Sequence, residues 1–173
     1  MTVKEAIAAR RSIRKYRERD TPIPQEHLDL LLEAAMRAPS ACDTRPWSLI
    51  VVQSREKLDA LADAHPHGKM VRDCPAAIVI AALPQVQSGL SDGFFPQDCA
   101  AAAQNILLQA AELGLGTCWC GVYPKEETMK NIRETLGGAL APGAIPFNLI
   151  AIGHPAEDFG SRGSYDKKRA LYL

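Results

Sequence analysis

The segment Cys99–Leu113, CAAAAQNILLQAAEL, restricts what this chain can become more than any other. It reads as a helix from about Asp98 to Leu113, apolar almost all the way round, so it cannot rest on a surface with one face in water. Other elements must cover it on several sides. Four consecutive alanines, Ala100–Ala103, let a neighbouring helix approach closely. Gly114 supplies its natural C-terminal stop.

The rest of the chain provides the cover. A capping box at Thr2-x-x-Glu5 starts a short helix through Val3, Ile7 and Ala8. A second helix begins near Gln25 after Pro22-Ile23-Pro24, carries Leu28, Leu31, Leu32 and Ala35 on one stripe, and stops by Pro39. Ser54 caps a third helix, and Pro124 is read as the first turn of a fourth reaching Leu136. Strands are predicted at Ser48–Gln53, Ala76–Ala82, Leu115–Trp119 and Phe147–Ile152, with an irregular loop from Pro84 to Pro96. A chain of 173 residues, 47% hydrophobic, is long enough for a real core, and one domain over residues 1–173 is expected.

Charge and cysteine usage exclude several classes. Twenty basic residues balance twenty acidic ones, so no net field draws in nucleic acid or an anionic membrane. No apolar run approaches the roughly 20 residues of a membrane span. The N-terminus is amphipathic and unlike a signal peptide. Five cysteines without small-scaffold spacing fit a reducing, cytoplasmic setting.

Four places carry candidate chemistry. Arg10, Arg11, Ser12 and Arg14 follow the first helix, and in an extended chain Arg10, Ser12 and Arg14 share a face. Guanidiniums and a hydroxyl on one face suit a phosphate, although an isolated RRSxR is more often a solvated basic turn. Lys167 and Arg169, at the other end of the chain, could complete a two-sided clamp. The loop Pro39-Ser40-Ala41-Cys42-Asp43-Thr44-Arg45 leaves a helix and enters a strand, where backbone groups are free for a ligand. The run from Gly114 to Gly121 is glycine-rich, which permits close approach of a flat ligand. Its Cys118 and Cys120 are expected to splay to opposite faces of a strand, which argues against a metal site, and none is predicted. The histidines point to no chemistry: His65 and His67 are a weak ligand pair, and His154 reads as a turn residue. No nucleophile elbow, carboxylate pair or P-loop is present, a pattern that suits chemistry belonging to a cofactor.

Together, ARRSIRKY, EAAMRAPSACDTRPWSLIVV, AAQNILLQAAELGLGTCW, IAIGHP and the basic tail resemble the nitroreductase family of FMN-dependent oxidoreductases, over nearly the whole chain. The resemblance implies an α+β three-layer sandwich, with a mixed central sheet flanked by helices, in an intertwined homodimer that holds FMN at its interface. It implies that Arg10, Arg11 and Ser12 hold the phosphate and ribityl chain, that Arg14 reaches the pyrimidine edge, and that Lys167 and Arg169 complete the phosphate grip. Pro39, Ser40, Ala41, Asp43 and Arg45 would come from the second subunit. Cys120, Gly121 and Val122 would lie beside the ring, with N–H groups near N5 and O4.

The implied activity is ping-pong hydride transfer from NADH or NADPH, through FMN N5, to a small-molecule acceptor such as a nitroaromatic or quinone. No side chain is expected to act as a catalytic acid or base. The alternatives are another flavin reaction on the same fold, such as dehalogenation or desaturation, and a non-catalytic flavin-binding protein. Phe94-Phe95 in the Pro84–Pro96 loop could stack on an aromatic acceptor or plug the core. Asp43 and Arg45 replace the family's usual Asn and Gln. Because a lone carboxylate beside the flavin would oppose its reduction, Asp43 is expected to pair with Arg45 or to face outward.

Overall fold

A computed structural model describes the chain apart from residues 159, 161, 162 and 164. Among the described residues the helices are α1 (Val3–Ala9), α2 (Gln25–Met36), α3 (Arg55–Ala64), α4 (Phe95–Glu112) and α5 (Glu126–Leu136). The strands are β1 (Tyr16–Arg17), β2 (Trp47–Val52), β3 (Ala76–Ala82), β4 (Gly116–Gly121) and β5 (Ile145–Pro155).

The sheet is organised by β3 and β5. Every residue of β3 is buried, and β5 has eight consecutive buried positions from Pro146 to Gly153. A strand apolar on both faces needs cover on both faces. β5 pairs with β3 along one edge, β2 lies outside β3, and β4 and β1 share the other edge of β5. All these ladders are antiparallel, and the mixing expected of the sheet is confined to one parallel bridge, Ser12 to Thr117.

Alternation along the strands then sorts the core into two layers. Ile78, Ile80, Ile150 and Ile152 face α2 and α4, whereas Val79, Leu149, Ala151, Cys118 and Cys120 face α3 and α5. Each fully buried isoleucine contributes about 1.5–3 kcal/mol of burial. The outcome is a helix–sheet–helix sandwich of the α+β class.

α4 behaves as its composition requires. Ala102, Ala103, Ile106 and Ala110 are fully buried, and the small side chains let α2 pack closely with Leu28, Leu31 and Ala35. Asn105 adds a tie by donating its Nδ2 to the Ala34 carbonyl at 3.0 Å. Gly114, at φ +71°, ends the helix as predicted. Its start differs: α4 begins at Phe95, because Pro96 is well suited to a first helical turn. β4 and β5 are longer than predicted, and α5 begins at Glu126 with Pro124 in the preceding turn. No helix among the described residues is long and apolar enough to cross a membrane.

The N-terminal segment is seated on β4 by one close contact. Ile13 is buried over Gly116, where a Cβ would come within 2.9 Å of the Ile13 side chain. This glycine therefore serves packing within the chain. Gly116→Ala is expected to cost about 1–3 kcal/mol through overpacking, read as a lower denaturant midpoint at matched protein concentration.

Candidate functional site

The arginine cluster is held outward by inward anchors. The Thr2–Glu5 capping box starts α1, and Arg10 ends it in an extended conformation. Ile13 donates its N–H to the Thr117 carbonyl at 2.8 Å, and the Tyr16 hydroxyl donates to the Ile13 carbonyl at 2.8 Å. With Ile13 inward, Ser12 and Arg14 are exposed on the other face, as the alternation predicts. The chain beyond β5 returns to this segment. Glu157 accepts from the Arg14 and Lys15 N–H groups at 2.6 and 3.2 Å, and Arg11 donates to the Gly160 carbonyl. Arg10, Arg11, Gly114, Thr117 and Glu157 line a cleft of about 280 Å³. Lys167 and Arg169 are not among its lining residues. They sit in a short exposed turn, where Arg169 Nε lies 3.5 Å from Asp166.

The loop after α2 has an unusual backbone. Cys42, Asp43 and Arg45 have φ of +52°, +54° and +44°. Left-handed non-glycine residues cost on the order of 1–3 kcal/mol each and persist where their surroundings over-determine them. Here the surroundings are hydrogen bonds. Ser40 Oγ accepts from the Arg45 N–H at 2.9 Å, and the Thr44 hydroxyl donates to the Ala41 carbonyl at 2.9 Å. Asp98, buried at the start of α4, accepts the Ala41 N–H at 3.2 Å on both carboxylate oxygens. Asp43 and Arg45 pair through two bonds, Nε to Oδ1 at 3.0 Å and Nη2 to Oδ2 at 3.2 Å, one of the two arrangements expected for them. Both side chains remain largely in solvent.

At the exit of β4, Cys120 is buried and Gly121 is exposed. A Cβ built on Gly121 would meet nothing within 4 Å, so the space above it is open. Val122 is buried, and its N–H goes to the Phe147 carbonyl at 3.1 Å. It is therefore not free for a ligand, contrary to the expectation that Val122 contributes a donor at the ring. Asn148, opposite Gly121, is buried with its amide unpaired.

His65, dismissed on sequence grounds, belongs to this corner. It is buried, and its Nδ1 accepts the His67 N–H at 3.1 Å. The proton must then lie on Nε2, which donates to the Gly121 carbonyl at 2.9 Å. A contact across 56 residues leaves no sequence signal.

Two further expectations are corrected or resolved. Cys118 and Cys120 do not splay, because positions i and i+2 of a strand share a face, and both thiols lie under α3 and α5. Their mutual hydrogen bond pulls the Cys118 thiol down, with help from Arg14, and together with burial pushes Cys120 up. The Phe94-Phe95 pair divides its roles. Phe95 packs edge-on against Tyr123 at 5.4 Å between ring centroids, whereas Phe94 is half exposed.

The arginine cluster and the 39–45 loop lie far apart within one chain. Thr117 is level with Ile152 in the sheet, whereas Trp47, at the end of the loop, is level with Ile145. Seven strand steps give about 23 Å along the sheet, and three strand spacings give about 14 Å across it. Gly121, four residues from Thr117 on the same strand, is much nearer the arginines, at about 13 Å. One small ligand can therefore span the arginines and Gly121 of one chain, but not the loop of that chain as well.

Comparison with known proteins places these features in a wider group. The model of the nitroreductase family matches residues 7–68 and 65–154. A Methanothermobacter thermautotrophicus protein, provisionally named NADH dehydrogenase/NAD(P)H nitroreductase, is 46% identical over 169 residues, covering 98% of this chain and 85% of that one. A crystal structure of a similarly named Bacteroides thetaiotaomicron protein superposes with a TM-score of 0.89 at 36% identity, over 98% of this chain and 96% of the other. A Desulfovibrio desulfuricans protein provisionally named a nitroreductase, crystallised in complex with FMN, has a TM-score of 0.82 at 30% identity, over 100% of this chain and 97% of the other.

The site's hydrogen bonds differ in what they contribute to stability. Arg45→Ala breaks an exposed pair and should move unfolding free energy by less than about 0.5 kcal/mol. His65→Leu strips two backbone groups of their partner and should cost about 1–3 kcal/mol in the same denaturant titration.

Proposed function

The chain belongs to the nitroreductase family and is an oxidoreductase that uses FMN with NADH or NADPH as electron donor; from that premise we propose how its residues hold the flavin and what it reduces. Arg10, Arg11 and Ser12 hold the phosphate and ribityl chain, with Lys167 and Arg169 closing over the phosphate from the C-terminal tail. Arg14 reaches the pyrimidine edge of the ring. Gly121 lies beneath the ring and supplies the backbone donor that Val122 and Cys120 cannot, since the N–H groups of both point to β5; Cys120 lies beside it. Pro39, Ser40, Ala41, Asp43 and Arg45 come from the second subunit of a homodimer.

The single observation that carries this reading is the bare, exposed Gly121 on the same strand as the seat of the arginine cluster. Permanent positive charge at one end suits a phosphate, and an open glycine at the other suits a flat ring. The two-subunit site is supported by the distance between arginines and loop within one chain. It is supported too by apolar side chains left in solvent on α1 and the tail, among them Val3, Ile7, Leu171 and Tyr172.

When bound, FMN supplies a ring that takes two electrons from NADH or NADPH and passes them to a second molecule occupying the same face in turn. The chain's own part is to bind and polarise. Arg14 stabilises negative charge at the pyrimidine edge, and the backbone N–H donor at Gly121 orients the opposite edge. Pairing with Arg45 offsets the charge that Asp43 would otherwise bring to the ring. No residue is assigned as a general acid or base. The acceptor we propose is a nitroaromatic or quinone, both flat enough to stack over the ring.

Protein purified with FMN should show a visible flavin spectrum. NADH or NADPH should bleach it anaerobically, and a nitroaromatic or quinone should restore it. Arg10→Ala should weaken FMN binding roughly ten- to hundredfold, as expected for loss of a charge-assisted bond of about 1.5–3 kcal/mol. Protein that stays colourless after incubation with FMN overturns the reading.

A further inference from the structure

Asp98 lies 57 residues from the loop it touches, and nothing in the proposed flavin chemistry uses it. It is a carboxylate with 6% exposure in the first turn of α4. Its two oxygens are both engaged. Each accepts the Ala41 N–H at 3.2 Å, and Oδ2 also accepts the Gln87 Nε2–H at 2.8 Å. Gln87, itself 7% exposed, places the same Nε2 3.3 Å from Thr44 Oγ1, whose hydroxyl proton is given to the Ala41 carbonyl. Gln87 can therefore only donate at this corner, and Asp98 can only accept.

The result is a closed circuit, Ala41–Asp98–Gln87–Thr44–Ala41, tying both ends of the left-handed segment to α4 and to the turn after β3. Cys42 and Asp43 lie between the two tied residues, and Arg45 follows them. A backbone with three positive-φ side-chain-bearing residues in four positions has many lower-energy alternatives. The circuit removes them.

We infer that Asp98 and Gln87 are positioning residues: by clamping Ala41 and Thr44 they hold the 40–45 loop, and with it the Asp43–Arg45 pair, in the one conformation that meets the flavin. The inference rests on the reading of that loop as a flavin contact, and it adds two residues that touch neither flavin nor substrate. It assigns the carboxylate of Asp98 to loop geometry and not to proton transfer.

Polarity offers a sharp test. In Asp98→Asn the side-chain carbonyl can take the Oδ2 place and still accept from both Ala41 and Gln87, whereas Asp98→Leu removes every acceptor. Hydrogen exchange of the apoprotein reads the loop directly, and fluorescence titration of the apoprotein with FMN reads its consequence. Asp98→Leu should speed exchange at amides 41–45 at least tenfold, leave β3 unchanged, and raise the FMN dissociation constant about tenfold; Asp98→Asn should stay close to the parent in both. Gln87→Leu, which keeps the carboxylate, should show the pattern of Asp98→Leu if that variant fails to fold. Loop exchange in Asp98→Leu within twofold of the parent, or exchange in Asp98→Asn as fast as in Asp98→Leu, overturns the inference. Should the parent bind no FMN, the functional reading falls, while the exchange arm still decides whether the circuit holds the loop.

Discussion

The whole arrangement depends on two adjacent strands, β3 and β5, that have almost nothing polar on either face. Such strands cannot sit at a surface, so helices must cover both sides, and the sandwich follows. α4 meets the same demand from the other direction: a helix apolar all round fits only where a sheet and a second helix both reach it. With both faces of the sheet occupied, binding is left to its ends and edges. That is where the arginine cluster, the bare Gly121 and the left-handed loop are found.

The site's division between two ends has a physical consequence. Arg10 to Arg14 are set by the parallel seat of Ser12 and Ile13 on β4, whereas the 39–45 loop is set by β2 and the start of α4, three strands away. A ligand touching both must draw them from two copies of the chain. In the proposed function, this distance is what supports a site shared between two subunits.

Much of this was legible in the residues. The strands, the capped starts of α1 and α3 and the end of α4 follow from periodicity and end signals that act over a few residues. The arginine pattern and the Asp43–Arg45 pairing were also readable, because both depend on near neighbours. The contacts that complete the site are long-range. His65 reaches Gly121, Asp98 reaches Ala41, and Ile13 occupies the space over Gly116, each through a contact spanning tens of residues. The cysteine pair was misjudged for a different reason, since its placement on one face follows from strand geometry alone.

By itself, the sequence determined which segments are apolar on one face, on two faces or on none, and so how many layers the chain must form. It determined as well that permanent positive charge sits just after the first helix, because guanidinium charge does not depend on folding. Only the tertiary structure decided which glycine is open and which is filled, which backbone N–H is spent, and which buried carboxylate holds a strained loop. Those outcomes depend on distances between residues remote along the chain, which local propensity does not encode.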